Sequence, residues 1–267
     1  MSQAVRSRTR VRAALVLVPA SCLLAGALRA QSISPPVAEY REKASASFTV
    51  TNESVFPLTV VLQPRGFTVS EDGEVAVTAL DTTRIHLSLS TISFRLQPRQ
   101  AYTVFYEVKA DSVPAWFTIW NAVTGARTSN GVNIRVELPH VVYLNQKERL
   151  GQSDVRITGA RWFRAQKKIV VTVENGSARL GRAQEIAVSA SDVPTVRGAP
   201  FPSFPQSRRR ATLPWAVDTP PAKVEVRFDG FKLETSDVTV DDTPAEPPAP
   251  SPDSARATAP SDAPARP

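Results

Sequence analysis

The chain has 267 residues, a formal net charge of +7 and a single cysteine, Cys22. The first 30 residues hold five arginines and no acid, so 27 basic and 25 acidic residues follow them and the net charge there falls to about +2. A net charge this small gives little support to nucleic-acid binding. Because no cysteine follows Cys22, the rest of the chain can form neither a disulfide framework nor a thiolate metal site.

The N-terminal segment has the order of charged and apolar residues that is typical of a signal peptide. Four arginines between Arg6 and Arg12 precede an apolar run over 13–27, which is short for a membrane span, and small residues follow it. We predict a signal peptide over 1–30, with cleavage after Ala30 and Ala27 as the second choice. Lipidation of Cys22 is less favoured, because the position three residues before such a cysteine is normally aliphatic and here it is Pro19. The chain is therefore expected in the periplasm.

Residues 31–146 consist of short alternating segments separated by turn signals, such as Ser-Glu-Asp-Gly at 70–73. The predicted strands cover, in chain order, 46–52, 58–62, 83–89, 93–98, 101–108, 116–120 and 131–138. About seven strands spaced about eight to twelve residues apart, without a helical period, are typical of an immunoglobulin-like β-sandwich.

The last of these strands, over 131–138, has the most regular alternation. Val132, Ile134, Val136 and Leu138 alternate with polar residues, which predicts one apolar and one polar face. Pro139 lacks a backbone donor, so the strand is expected to end, bulge or reach a sheet edge there. Two hypotheses follow: the strand belongs to the core of its own sandwich, or it is offered to the sheet of a partner.

After a predicted linker over 147–152, the pattern begins again. The sequence FTVTNES at 48–54 is echoed by VTVENGS at 171–177, and each motif ends a strand early in its half of the chain. We predict a second immunoglobulin-like domain over 153–240. From 241 to 267 the chain is rich in Pro, Ala, Ser and Asp, without aromatic or long aliphatic residues, which predicts a disordered tail. The predicted fold class is thus all-β: two tandem immunoglobulin-like β-sandwich domains and a disordered tail.

The sequence carries no signature of an active site. It has no nucleotide-binding glycine loop, no nucleophile elbow and no helical histidine pair for zinc. A Ser-His-Asp site around His86 or His140 lacks a local motif, and both histidines lie on separate predicted strands. We therefore expect no enzyme activity, no cofactor, no metal and no small-molecule substrate.

Two further features have a structural and a functional interpretation. The run Ser207-Arg208-Arg209-Arg210 could bind phosphate or anionic lipid, but such a run is more often a solvated strand entry.

The tryptophans are expected to anchor the core with their indole N–H groups paired, and ligand stacking is the alternative. They are Trp116, Trp120, Trp162 and Trp215.

The order of several motifs resembles the PapD-like family of periplasmic pilus-assembly chaperones. The motifs are FTVTN at 48–52, SFRLQPRQ at 93–100, VPAWFTIWN at 113–121 and the alternating strand over 131–138, followed by Tyr143. The resemblance covers mainly the first domain. It implies two immunoglobulin-like domains set at an angle and a last strand of the first domain that is lent to an incomplete pilin sandwich.

In that family, the alternate apolar residues of the lent strand fill the groove of the subunit. The resemblance assigns this subunit-binding role to Val132, Ile134, Val136 and Leu138. It also implies secreted pilin-like subunits as partners, with an outer-membrane usher as a further contact.

One departure from the family concerns the cations that clamp the carboxylate of the subunit. The family has an arginine in its first strand and a lysine late in the last strand of domain one. These positions fall near Pro36 and His140 here, and the nearest cations are Arg41 and Lys43. The usual clamp is not evident, and Arg41, Lys43 and His140 are the candidate carboxylate anchors.

Three hypotheses for function follow. The first is a periplasmic chaperone that binds subunits by strand donation, and the second is a non-catalytic structural or adaptor protein of the envelope with the same fold. An enzyme ranks last. An exposed apolar face on the strand over 131–138 favours the first hypothesis, and a face buried under the second sheet of its own domain favours the second.

Overall fold

The computed structural model describes residues 31–127 and 133–242. Regular structure in this part of the chain is almost entirely β, with one three-residue 3₁₀ turn, Gln152–Asp154. The predicted all-β fold class is confirmed. The predicted signal segment over 1–30, Val132 and the chain from 243 onward lie outside the described residues.

The first half forms ten of the described strands. They are β1 (Gln31–Ser34), β2 (Val37–Arg41), β3 (Lys43–Asn52), β4 (Leu58–Val69), β5 (Val75–Ala79), β6 (Ile85–Leu89), β7 (Ser93–Leu96), β8 (Ala101–Ala110), β9 (Ala115–Arg127) and β10 (Asn133–Asn145). The sequence predicted about seven, because it missed β1, β2 and β5. It also ended β10 too early, since the strand continues through Pro139.

These strands pack as two sheets around one core. The first sheet has the order β1-β3-β8-β6, and the second has the order β2-β10-β9-β4-β5, with β7 also paired to β4. Alternation sends Phe48 and Val50 of β3 and Val104 of β8 inward, where they are at most 1% exposed and pack against Phe117 and Ile119 of β9. Burial of this apolar area is the main favourable contribution to the free energy of folding of the sandwich.

The second half repeats this architecture with fewer residues. Its strands are β11 (Val155–Phe163), β12 (Lys168–Asn175), β13 (Gly181–Ala190), β14 (Val193–Gly198), β15 (Phe201–Ser203), β16 (Ser207–Pro214), β17 (Lys223–Phe228), β18 (Lys232–Thr235) and β19 (Thr239–Asp241). They form sheets of order β16-β12-β11-β19 and β14-β13-β17-β18, with β15 paired to β13. Trp162 and Trp215 lie in the core between these sheets.

A buried asparagine ends the corresponding strand in each half. The Asn52 side chain donates to the carbonyl of Phe56 at 2.8 Å and accepts from the amide of Ser54 at 3.0 Å. The Asn175 side chain donates to the carbonyl of Arg179 at 2.7 Å and accepts from the amide of Ser177 at 3.0 Å. The repeated sequence motif therefore encodes one local structure, in which a buried amide closes the loop that follows the strand.

The halves meet at a small apolar cluster of Phe67, Tyr143, Leu180 and Phe204. Gln146, next to the predicted linker, also bridges them, since its amide donates to the carbonyl of Leu180 at 3.0 Å and accepts the Leu180 N–H at 3.1 Å. The four described sheets fall on either side of 147–152, and the domain boundaries at this segment stay a prediction.

The last strand includes Asp241, which the sequence had assigned to the tail. The Asp241 carbonyl accepts the N–H of Arg164 at 3.2 Å, and its carboxylate lies 3.5 Å from the guanidinium of Arg161. Composition alone did not reveal this strand, because its pairing with β11 depends on residues distant in sequence.

Candidate functional site

Strand β10 has two halves with different surroundings. Along its whole length it pairs antiparallel with β9, from Asn133 opposite Arg127 to Leu144 opposite Ala115. On its other edge, β2 pairs in parallel only with the second half, from Val141 to Asn145. Within the described residues, no strand lies against this edge over 133–139. We refer to this stretch as the open edge.

The open edge exists because the chain crosses from the first sheet to the second at two consecutive prolines. β1 pairs with β3 in the first sheet, and after Pro35 and Pro36 the chain enters the second sheet as β2. Proline has no N–H to give to a ladder, so pairing beside β10 starts only where Val141 donates to the carbonyl of Pro36 at 2.9 Å. The strand that could have covered 133–139 belongs to the opposite sheet.

The open edge presents backbone groups that are suited to receive another strand. The N–H and C=O of one strand residue point to the same side, and successive residues alternate. Because Val141 points toward β2, Arg135 and Glu137 direct both groups to the open edge, and Pro139 directs its carbonyl there. Water can satisfy these groups in the free chain, and an added strand can replace that water.

The side chains of the open edge divide between the two faces of the sheet. Val136 and Leu138 are partly buried and pack against the first core cluster. On the opposite face, Arg135 and Glu137 form an ion pair at 2.8 Å, with 55% and 43% of their side chains exposed. For Ile134, the structure describes the backbone pairing with Ala126. The predicted alternation is thus present in the described part, but its apolar face is half covered rather than free.

His140 lies just past the open edge and is completely buried. One ring nitrogen, Nδ1, is 2.8 Å from the carbonyl of Pro35, and Nε2 is 3.0 Å from the hydroxyl of Tyr106. The ring stacks on Phe48 with a centroid distance of 4.5 Å. Burial lowers the pKa of His140 below its ordinary value of 6.5, although the bond to Pro35 opposes this.

His140 is therefore a neutral core residue and not an exposed cation. The carbonyl of Pro35 can only accept, so Nδ1 carries a proton that it donates to this carbonyl. The role of His140 as a carboxylate anchor stays a prediction, and it requires the protonated form, which burial of the ring disfavours. Its bonds instead connect β10 to the crossing at Pro35, so they fix the place where the open edge stops.

The other two candidate anchors lie away from His140. Arg41 is exposed at the last position of β2, opposite Asn145. It lies about 13 Å along β2 from the first residue of that strand, which is the end nearest to His140. Lys43 is exposed in the first sheet, where it lies opposite Lys109. The structure does not bring the three candidates together into one anion site.

A second feature that the sequence did not predict is an apolar cleft between the halves, which we call the interdomain cleft. It has a volume of about 400 Å³ and lies on the outer face of the second sheet. Val75 and Val77 of β5, Trp120 of β9 and Pro139 and Val141 of β10 line one side. Pro200, Phe201, Pro202 and Arg209 line the other. The sequence analysis singled out Trp120, Pro139 and Arg209, but no local pattern predicted that these residues line one cleft.

The tryptophans only partly follow their predicted roles. The indole N–H of Trp116 donates to the carbonyl of Phe67 at 2.9 Å, and that of Trp215 donates to Thr219 at the same distance. The indole nitrogens of Trp120 and Trp162 are buried and have no hydrogen-bond partner among the described residues. Trp162 lies in the core, whereas Trp120 lines the interdomain cleft.

The basic run at 207–210 is used within the chain. The Arg208 guanidinium pairs with Glu174 at 3.3 Å, and that of Arg210 pairs with Asp72 at 2.6 Å. The backbone N–H of Arg210, on the edge strand β16, also donates to the carbonyl of Glu71 at 2.7 Å. The acidic turn after β4 therefore caps the edge of β16 and joins the two halves.

Within the described part of the chain, no group of three or more His, Cys, Asp or Glu side chains could hold a metal ion. No helix in those same ranges is long and apolar enough to cross a membrane.

Comparison with known proteins gives structural similarity at low sequence identity. No family model matches the sequence, and no curated protein matches it significantly. The Salmonella enterica SafA pilin in complex with the SafB chaperone is 12% identical, with a TM-score of 0.46, over 78% of this chain and 96% of that one. The E. coli chaperone DraB is 15% identical, with a TM-score of 0.43, over 77% and 95% of the two chains.

A third similar structure is the Acinetobacter baumannii CsuC–CsuE chaperone–tip adhesion subunit pre-assembly complex, which belongs to archaic chaperone-usher pili. It is 10% identical, with a TM-score of 0.43, over 79% of this chain and 99% of that one. Fimbrial chaperones thus recur among the solved structures to which this chain is similar.

Proposed function

We propose that the chain is an exported, non-enzymatic chaperone that holds pilin-like subunits through the open edge of β10. The observation that carries this proposal is the difference between the two halves of β10: β2 covers one edge from Val141 onward, and no described strand covers it over 133–139. A subunit strand can continue the sheet there, with main-chain bonds giving affinity and alternate side chains giving register.

The side chains of β10 support the same proposal. Val136 and Leu138 lie at the margin of the core, half-buried, so a strand added beside them would place its own apolar residues next to an existing apolar layer. With Val132 and Ile134 they form the proposed subunit-binding strand. His140 then acts as a positioning residue at its end, and Arg41 and Lys43 stay candidates for a second contact.

The proposed compartment is the periplasm, from the charge and apolar pattern of residues 1–30. The proposed partners are secreted pilin-like subunits, and an outer-membrane usher is a further proposed contact. The chaperone would keep the unpaired edge of a subunit from aggregating by pairing with it before assembly.

A pair of variants at one position tests the open edge. Glu137→Pro removes a donor that points away from β9, and proline is tolerated at such an edge position. Glu137→Gln keeps the donor and removes the same ion pair with Arg135, so it is the matched control. We expect the proline variant to lose at least tenfold in recovery of its subunit from the periplasm, while the glutamine variant retains it.

Hydrogen exchange gives an independent readout on the wild-type complex. The amides of Arg135 and Glu137 should exchange rapidly in the free chain and slowly in the complex, whereas Val141 is protected in both because it donates to Pro36. Equal subunit recovery with both variants, together with unchanged exchange at Glu137, would exclude the open edge as the binding surface.

A second candidate function is a structural or adaptor protein of the envelope. The observation that favours it is the packing of Val136 and Leu138 against their own core, which leaves less apolar area for a partner. Under this hypothesis, binding to envelope partners would be insensitive to Glu137→Pro, so the same experiment separates the two functions.

A further inference from the structure

The first sandwich has an opening on the side that is opposite to the open edge. On that side the chain crosses between the two sheets twice, at 80–84 from β5 to β6 and at 90–92 from β6 to β7. β6 forms one rim of the opening, in the first sheet, and 62–65 of β4 form the other rim, in the second sheet. We call the gap between the two crossings the lateral window.

The lateral window exists because β4 changes its partner along one edge. β7 pairs with β4 from Leu58 to Val61, and β5 pairs with it from Arg65 onward, so 62–64 pairs with neither strand. There the N–H of Leu62 donates instead to the carbonyl of Ile92 in the second crossing, at 2.9 Å. In the first sheet β6 is the last described strand. No described strand therefore closes the side of the sandwich between β6 and β4.

A cavity of about 1340 Å³ lies behind the lateral window and reaches the core. Leu80, Leu87 and Leu89 line it and pack against the first core cluster, yet all three remain partly exposed. Ala44 of β3 also lines it, and its small side chain leaves space that a larger residue would fill. Because water gains little from such walls, an alkyl chain that replaces the water is favoured.

The charged residues that line the lateral window are mostly basic. Lys43, Arg65 and Lys109 are exposed there, and Glu107 is the one carboxylate among the described lining residues. The Arg65 guanidinium donates to the neutral side chain of Gln63 at 3.0 Å, and Lys43 lies directly opposite Lys109. Like charges that face each other across two strands are unfavourable, so a bound anion would offset their repulsion.

From these features we propose that the lateral window binds a long-chain fatty acid. The alkyl chain occupies the cavity against the three leucines, and the carboxylate lies among the cations that line it. The apolar walls require a chain, and the excess of positive charge selects an anionic head group. The cavity is larger than the roughly 300–1,000 Å³ of ordinary small-molecule sites, so a long chain fits. The inference does not rest on the proposed function, because β9 separates β10 from β4.

Calorimetric titration of the full chain with dodecanoate tests the proposal. Hexanoate is the control for the length of the alkyl chain, and dodecyl maltoside below its micelle concentration is the control for the charge of the head group. We expect saturable binding of one dodecanoate per chain, and binding at least tenfold weaker for both controls. The proposal is overturned if dodecanoate does not bind, or if either control binds as tightly as dodecanoate does.

A spin-labelled fatty acid locates the bound chain. A stearate with a nitroxide near its methyl end should broaden the methyl NMR signals of Leu87 and Leu89. The signals of Leu213, which is buried in the core of the second half, should stay sharp. Saturable binding that leaves the Leu87 and Leu89 signals unchanged would place the fatty acid elsewhere and overturn the proposal.

A pair of variants on β3 tests the cavity itself. Ala44→Phe fills the space behind the lateral window, and Ser47→Phe adds the same ring to the opposite face of the same strand. We expect the first to weaken dodecanoate at least tenfold and the second to leave its affinity unchanged, while melting curves check that both are folded. A folded Ala44→Phe variant that binds dodecanoate as the wild type does would contradict the assignment.

A double variant tests the cations and does not depend on the folding of Ala44→Phe. Arg65→Gln combined with Lys109→Gln changes exposed side chains only, so the sandwich should remain folded. It should weaken dodecanoate about tenfold and leave the weaker binding of dodecyl maltoside unchanged. Equal affinity of the double variant and the wild type for dodecanoate would also overturn the proposal.

Discussion

At the scale of single residues, His140 connects its own strand in the second sheet with strands of the first sheet. Its ring reaches Pro35 at the crossing between sheets, Tyr106 on β8 and Phe48 on β3. The hydroxyl of Tyr106 lies 3.2 Å from that of Tyr40 on β2, and burial raises the pKa of Tyr106, which keeps it protonated. A buried polar network of this kind fixes one arrangement of the strands around the end of the open edge.

This network predicts a pH dependence of stability. The folded pKa of His140 is below its ordinary value of 6.5, so the unfolded chain binds a proton first as the pH falls. The contribution of His140 to the free energy of unfolding should therefore be present above pH 6.5 and be lost as the pH falls below that value. Urea unfolding of the wild type and of His140→Gln at several pH values measures this dependence. The free energy of unfolding of the variant should fall less steeply with decreasing pH. The control is His86→Gln, at the exposed histidine paired with Asp111, which should keep the slope. An identical slope in His140→Gln would contradict the assignment.

The buried asparagines give a second prediction at this scale. Asn52→Ala and Asn175→Ala each remove the bonds to three groups of the following loop, so each should lower the free energy of unfolding by about 2 kcal/mol. Similar losses are expected because the bonds to Ser54 and Ser177 have the same geometry. Denaturant unfolding checks both, with Ser54→Ala as a milder comparison. A loss below about 0.5 kcal/mol at either site would contradict a structural role for that amide.

At the scale of elements, β10 combines a core strand with an edge strand. From the alternation, a core strand and a strand offered to a partner were alternative hypotheses for β10. In the structure, its second half is a core strand next to β2, and its first half is an edge strand. Val142 and Leu144 are fully buried beside β2, while Val136 and Leu138 are only partly covered where β2 is missing. The division follows from the prolines at 35–36, which are in another part of the chain, so no pattern within β10 could reveal it.

The final strand, β19, carries a prediction about truncation. Removing 243–267 should leave the melting temperature nearly unchanged, since the composition of this segment offers no apolar area to bury. Ending the chain after Ser236 instead removes Val238, which packs against the second core cluster, and the pairing of β19 with β11. We expect this longer truncation to lower the melting temperature by about 5–10 °C. Calorimetry of the two truncated chains is the measurement, and an equal melting temperature for both would show that β19 adds nothing.

At the scale of the whole molecule, the two halves are joined by an acidic turn and a basic strand. Asp72 pairs with Arg210, and the carbonyl of Glu71 caps the backbone of the same residue. Gly73 at φ +89° lies against the Arg209 guanidinium, where a side chain would collide with it. Gly73 and Arg209 both line the interdomain cleft, so this contact lies beside it.

A charge swap tests that contact. Asp72→Arg should change the thermal stability by no more than about 1 kcal/mol, because the pair is largely exposed. It should nevertheless widen the distribution of interdomain distances, measured by spin labels on the two halves. The double variant Asp72→Arg with Arg210→Asp should restore the narrow distribution. The same width in wild type and single variant would mean that the apolar cluster around Phe204 holds the halves together without the ion pair.

The sequence by itself determined the features that arise from local pattern. Alternation predicted the strand β3, and the repeated asparagine motif predicted two related sandwiches, because period-two patterning and turn chemistry act over a few residues. The Val136 and Leu138 face was likewise evident in the alternation.

Only the tertiary structure decided what depends on distant partners. The crossing at Pro35 and Pro36 leaves the edge of β10 open, the burial of His140 removes its charge, and the meeting of Asp72 with Arg210 turns a basic run into an interdomain contact. Each depends on which strands become neighbours across 34 or more residues of sequence. Desolvation and edge pairing are properties of that neighbourhood, and a local pattern contains no information about them.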